Sequence, residues 1–226
     1  MNPTLAITVH FDLICPWCLI GKRHLASAIS QLRQRHPDVD VAIDWRSHIL
    51  LPGTPAQGIP YQEFYERRLG SAAAVAARRA QVREAGRAAG VEFAFERIAL
   101  MPSTLAAHQF IDCARGLGDA EHVDDFIERL FTAYFLEGSD IGDPAVLGET
   151  ATHAGFPEAA IHACIAEPDN RRRFFEKLAT NADDSVSGVP CFVVNHRFAL
   201  SGAQPPDVLL ATMEQALQAQ AAVEPV

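Results

Sequence analysis

Long apolar runs are missing from this chain: none approaches the ~18 residues that a membrane-spanning helix needs, so a membrane protein is not expected. Basic charge is scarce as well. Lys and Arg number 19 against 28 Asp and Glu, a formal net charge of −9 over 226 residues, and a surface for nucleic acid would need a basic stripe. The arginines at 67–68, 78–79 and 171–173 lie among helix formers and acids, which reads as solvated helix faces. Cysteine is sparse: there are five, with one close pair, unlike the framework of a small secreted domain. No charged stretch, apolar stretch and cleavage site precede the first strand, so a cytoplasmic protein is expected. A second CxxC and a paired-histidine spacing are absent too, and a zinc site would need one of them, so no metal is expected. Repeats and low-complexity segments are missing, apart from an Ala/Arg-rich stretch at 72–89 that a plain helix explains.

What the chain does have is 49% hydrophobic residues, enough for a sizeable core in one large domain or two small ones. It also has the tetrapeptide Cys15-Pro16-Trp17-Cys18. The run from Leu5 to Phe11 before it is rich in β-branched and aromatic residues, as in a buried strand. After it, Leu25, Ile29 and Leu32 recur at helical spacing. Proline is tolerated in the first turn of a helix, so a helix starting near Pro16 puts Cys15 at its N-terminus. The partial positive charge there favours a thiolate over a thiol. Cys18, three residues on, can reach Cys15, which makes the pair a candidate thiol redox site. Trp17 between them offers a partly exposed apolar contact for a substrate.

A second strand is expected at 39–45, where apolar and mainly polar residues alternate, giving strand, helix, strand and therefore a parallel pair. A Pro/Gly loop covers 52–60, and nearly everything from there to about 184 reads as helix. Val123, Phe126, Ile127, Leu130, Phe131, Tyr134 and Phe135 form one buried stripe. Ser103 is expected to cap one helix, Asp143-Pro144 to open another and Gly155 to end it. Strands return at 191–194 and 198–200 around an Asn195-His196 turn, and a last helix runs from about 205 to 220. The expected fold is α/β, a βαβ–ββα sheet interrupted by a helical insertion. Its boundaries are 1–55 for the first part of the sheet domain, 56–184 for the insertion and 185–226 for the second part.

Gly188-Val189-Pro190 comes just before the third strand, at the sheet edge where the cysteines lie. A cis Val189–Pro190 bond is expected there. It would turn the backbone of Val189 outward, next to Cys15, as a short edge for an extended substrate peptide. Cys113 and Cys164 lie on apolar helix faces and are expected to pack as buried thiols. Cys191, next to Pro190, is assigned to strand core, although its position leaves an approach to the pair open. His48 ends the second strand near the same edge and is read as a surface or satisfied histidine, with stabilisation of a thiolate as the alternative.

Taken together, the chain resembles the DsbA-like branch of the thioredoxin superfamily, and within it the cytoplasmic FrnE-type thiol–disulfide oxidoreductases. The resemblance rests on Val9 to Asp12, Cys15 to Gly21, Thr104 to His108, Leu130 to Phe135, Asp140 to Asp143, Gly188 to Pro190 and Ser201 to Gln204. It implies a thioredoxin fold with a helical insertion, Cys15 as nucleophile, Cys18 as resolving thiol, Pro190 as a cis-proline facing them, and substrate contacts at Pro16, Trp17 and Val189. It further implies protein or small-molecule thiols and disulfides as partners, no cofactor beyond the redox pair, and glutathione as an optional co-substrate. A sister branch, the glutathione-dependent 2-hydroxychromene-2-carboxylate isomerases and kappa-class transferases, characteristically has serine where this chain has Cys15. Two positions depart from the FrnE pattern: Cys191 and Ser47-His48 stand where aromatics are usual. The second cysteine pair that some FrnE proteins carry near the C-terminus is also absent, so single-pair chemistry is expected. The alternative reading is a glutathione-dependent isomerase or transferase of that sister branch, and a zinc- or peptide-binding module is the second alternative, from a different class.

Overall fold

A computed structural model describes residues 3–183 and 186–222. In chain order the elements are β1 (Thr4–Phe11), α1 (Pro16–Arg35), β2 (Asp40–Ser47), β3 (Ile59–Pro60), α2 (Tyr61–Leu69), α3 (Ala72–Ala88) and β4 (Leu100–Met101). Next come α4 (Leu105–Leu117), α5 (Ala120–Thr132), α6 (Pro144–His153), α7 (Glu158–Ala166) and α8 (Pro168–Asp183). The last are β5 (Cys191–Val194), β6 (Phe198–Ser201) and α9 (Pro206–Ala221). They divide into two units, one built from Met1–His48 and Ser185–Val226, the other from Ile49–Asp184. The fold is the α/β thioredoxin-like arrangement with a helical insertion.

The first unit holds a four-stranded sheet in the order β2-β1-β5-β6. β1 runs parallel to β2 with Val9 opposite Trp45, and antiparallel to β5 with Val9 opposite Phe192. The central strand therefore carries apolar residues toward one helical layer, where α1 and α9 pack on each other. Leu25, Ile29 and Leu32 of α1 and Leu209 and Met213 of α9 are buried. The α1 helix stops where His36 donates its N–H to the Leu32 carbonyl and Pro37 follows. Asn195 and His196 make the β5–β6 turn with φ of 47° and 55°, the left-handed backbone that a tight hairpin demands.

The second unit buries the α5 stripe from Val123 to Phe135, with a π-helical turn at Ala133–Glu137. Asp143 caps α6, its carboxylate accepting from the Ala145 N–H, with Pro144 in the first turn. Gly155, at φ +87°, lets the chain turn away after that helix. Two features differ from expectation. Ser103 does not cap α4: Thr104 takes that position and makes no side-chain cap bond. The segment is also not wholly helical, since Ile59–Pro60 and Leu100–Met101 form a two-residue antiparallel ladder, too short to leave a periodic signal.

The larger correction concerns Cys113 and Cys164. Cys113 is buried, but the two residues are joined as a disulfide between α4 and α7, not packed as separate thiols. The packing of α4 on α7 brings their Cα atoms to 5.9 Å, inside the range that a disulfide spans. With 51 residues between them in sequence, no local spacing betrays the pair.

Candidate active site

At the C-terminal end of β1 the chain turns through Asp12, which is fully buried, and the Cys15 N–H donates to the Asp12 carbonyl at 3.1 Å. Cys15 is the N-cap of α1, with an extended backbone (φ −92°, ψ 108°), and Pro16 occupies the first helical turn. The Cys18 N–H donates to the Cys15 carbonyl at 2.9 Å, so the two side chains leave adjacent levels of one helix end. Both are thiols in this structure. Cys15 is 7% exposed and Cys18 2% exposed, whereas Pro16 and Trp17 between them reach solvent in part. A reagent therefore meets Cys15 and the Pro-Trp ridge before it meets Cys18. Burial pushes the Cys18 thiol well above its ordinary value; the hydrogen bond and charge of Cys15 add to that, as does the charge of Asp12.

Across the sheet, the Val189–Pro190 peptide bond is cis. The Cys15 Sγ donates to the Val189 carbonyl at 3.6 Å, which places the residue before the cis-proline against the outer thiol. Pro190 is held from both sides. Its carbonyl accepts the Gly202 N–H at 2.7 Å, and Gly202 sits at φ +81°, where a side chain would be strained. Gln204 continues that loop: its carbonyl lies 2.9 Å from His24 Nδ1 of α1. On the other side is Gly21, where a Cβ would lie 2.9 Å from Pro190 Cγ and 3.0 Å from Phe192 Cζ. Glycine at 21 is what lets α1 approach the proline so closely.

Of the residues expected at the site, Cys15, Cys18, Val189 and Pro190 meet at one sheet edge, and Pro16 and Trp17 lie between the two thiols. Cys191 does not join them. It stands opposite His10 in the β1–β5 register, and the alternation of a strand puts it on the face away from Phe192 and α1. Burial pushes its thiol up. His48 extends the β1–β2 pairing, its N–H donating to the Phe11 carbonyl at 2.9 Å, and is partly exposed. Sequence reasoning named no site role for Asp12, Gly21 or Gly202. Asp12 was the most legible, as a charged residue ending an apolar strand; the glycines give no signal until β5 is folded against α1. Among the described residues no cluster of three or more His, Cys, Asp or Glu could hold a metal ion, and no helix is long and apolar enough to cross a membrane.

Residues 6–214 match the family model described as a DSBA-like thioredoxin domain. An uncharacterized protein of Bacillus subtilis, YwbO, is 24% identical over 208 residues, covering 91% of this chain and 94% of that protein. The crystal structure of a probable DsbA oxidoreductase from Streptomyces coelicolor superposes with a TM-score of 0.83 at 23% identity, covering 98% of this chain and 92% of that one. The cytosolic disulfide reductase DsbM from Pseudomonas aeruginosa, solved with GSH, superposes with a TM-score of 0.62 at 18% identity, covering 94% and 99%. At these identities the two structures speak for the fold.

Proposed function

The chain belongs to the DSBA-like thioredoxin domain family, and from that premise we propose that it is a thiol–disulfide oxidoreductase working through Cys15 and Cys18. One observation carries the reading. Two thiols share the N-terminal end of α1, and the outer one lies 3.6 Å from the carbonyl that precedes a cis-proline. A substrate strand laid along Val189 is thereby presented to the Cys15 sulfur and not to Cys18.

In the reducing direction the Cys15 thiolate attacks a substrate disulfide, forms a mixed disulfide and releases one substrate thiol. Cys18 then loses its proton and attacks Cys15, releasing the second substrate thiol and leaving a Cys15–Cys18 disulfide. The oxidising direction runs the same steps backwards. The surroundings of Cys18 time this sequence. While Cys15 is free, its hydrogen bond and charge help to hold the proton on Cys18. Once Cys15 is bonded to substrate, both influences vanish and Cys18 becomes easier to ionise at the moment when it must attack. Glutathione serves as the small thiol that resets the pair, a reading supported by the resemblance to a reductase solved with GSH. The cytoplasm is the compartment that matches a glutathione-fed reductase.

Two serine variants test this. Cys18→Ser should accumulate mixed disulfides on Cys15 with a disulfide peptide and turn over no further, and Cys15→Ser should form none. Continued multiple turnover by Cys15→Ser, measured as thiol release from the peptide, would refute the assignment.

A further inference from the structure

We propose that the Cys113–Cys164 disulfide of the helical unit is a second, exchangeable redox site that admits a small thiol of the glutathione class at the Cys164 sulfur. Three observations place it there. First, the two ends of the bridge differ in access: Cys113 is 6% exposed, whereas Cys164 is partly open to solvent. Exchange needs an approach to one sulfur, and exposed bridges are the labile ones. Second, Cys164 sits at the corner between α7 and α8, and the side-chain amide of Asn170, in the first turn of α8, donates to it twice. Nδ2 is 3.1 Å from the Cys164 carbonyl and 3.3 Å from its sulfur. A donor on the sulfur stabilises the thiolate that reduction releases.

Third, the corner does not depend on the bridge to stay assembled. Ile161 of α7 and Phe110 of α4 are buried, and the Phe110 and His162 rings meet edge to face at 5.7 Å. Lys177 of α8 donates to Asp112, next to Cys113, at 2.7 Å. Opening the S–S bond therefore leaves α4, α7 and α8 packed and both sulfurs placed to close again.

The chemistry balances with two molecules of small thiol. The first, as thiolate, attacks Cys164; the Cys113–Cys164 bond breaks, a mixed disulfide forms on Cys164, and Cys113 leaves as a thiolate and takes up a proton. The second attacks the small-molecule sulfur of that mixed disulfide. Cys164 is released as a thiolate and protonated, and the two small thiols become one disulfide carrying the two electrons' worth of oxidation.

The test uses the full chain with Cys15→Ser and Cys18→Ser in place, so that the first pair cannot take part. Native protein is equilibrated in reduced and oxidised glutathione at graded ratios, quenched with acid, alkylated and mapped by mass spectrometry. The expected result is that Cys113 and Cys164 pass together between disulfide and dithiol as the ratio changes. With Cys113→Ser added, Cys164 should take up glutathione about tenfold faster than Cys113 does when Cys164→Ser is added instead, following access to the two sulfurs. A bridge that stays closed at every ratio and opens only in denaturant would overturn the proposal. So would Cys113 as the site of capture.

Discussion

Replacing Cys113 and Cys164 together by alanine removes the one cross-link that the helical unit carries among the described residues. The bridge closes a loop of 51 residues in sequence. In the chain-entropy account, freeing a loop of that length restores about 14 cal/mol/K to the unfolded chain, or about 4 kcal/mol at 25 °C. Losing the buried sulfur of Cys113 adds a smaller cavity cost in the same direction. Against a total stability of about 5–15 kcal/mol, the variant should still fold. With a urea slope of about 2–3 kcal/mol per M, its midpoint should fall by roughly 1.3–2 M. The probes separate the units. Both tryptophans, Trp17 and Trp45, belong to the sheet unit, while most of the helical residues lie in α2 to α8 of the other unit. Circular dichroism at the helical minimum should thus report the shift, with tryptophan fluorescence recording the sheet unit separately. An unchanged circular-dichroism midpoint, with wild type shown to be oxidised at this bridge, would refute the reasoning.

Gly21→Ala should put a methyl group 2.9 Å from Pro190 Cγ and 3.0 Å from Phe192 Cζ; forced overpacking of this kind costs about 1–3 kcal/mol. Because the displaced atom is the cis-proline, disulfide exchange should drop more than stability does, and equal exchange rates in variant and wild type would count against Pro190 as the substrate edge. The raised Cys18 thiol has a pH signature. Its folded-state value lies above its unfolded one, so its contribution to stability is complete below the ordinary thiol value of about 8.5 and declines as pH rises beyond it. Denaturant midpoints from pH 7 to 10 should fall more in wild type than in Cys18→Ala, and parallel curves would argue against it. In Cys15→Ser, iodoacetamide should reach Cys18 at lower pH than in wild type, because the charge of Cys15 is gone.

The readability of this chain follows the range of the interactions involved. The CPWC segment is local: proline in the first turn, a strand before it and a periodic helix after it place Cys15 at the N-cap of α1 without reference to anything else. The α5 stripe from Val123 to Phe135 is local in the same sense. The expectation of a cis Val189–Pro190 bond needed the topology, but only the order of strands. What was hidden depends on pairs that meet only in three dimensions. The 51-residue separation of Cys113 from Cys164 looks like two unrelated core thiols on two apolar faces. The grip of Gly202 on the Pro190 carbonyl, and the gap at Gly21, exist only once β5, β6 and α1 are stacked. Cys191 adjoins Pro190, which left an approach to the active pair open beside its assignment to strand core; a strand's alternation sends it to the other face.

The discontinuity of the sheet unit has a consequence for biosynthesis. Its two portions are separated by residues 49–184, so a ribosome makes the CPWC segment early and the strand that carries the cis-proline late. At about 5–20 residues per second the intervening stretch occupies roughly 7–27 s. For that interval the nascent polypeptide displays Cys15 and Cys18 on a βαβ that still lacks β5 and β6, while Cys113 and Cys164 emerge behind them. Four thiols of a single growing chain then coexist, and mispairing among them is a kinetic hazard of that interval. The helical unit is contiguous, so α4 and α7 can bring Cys113 to Cys164 before β5 and β6 are translated, withdrawing that pair from competition.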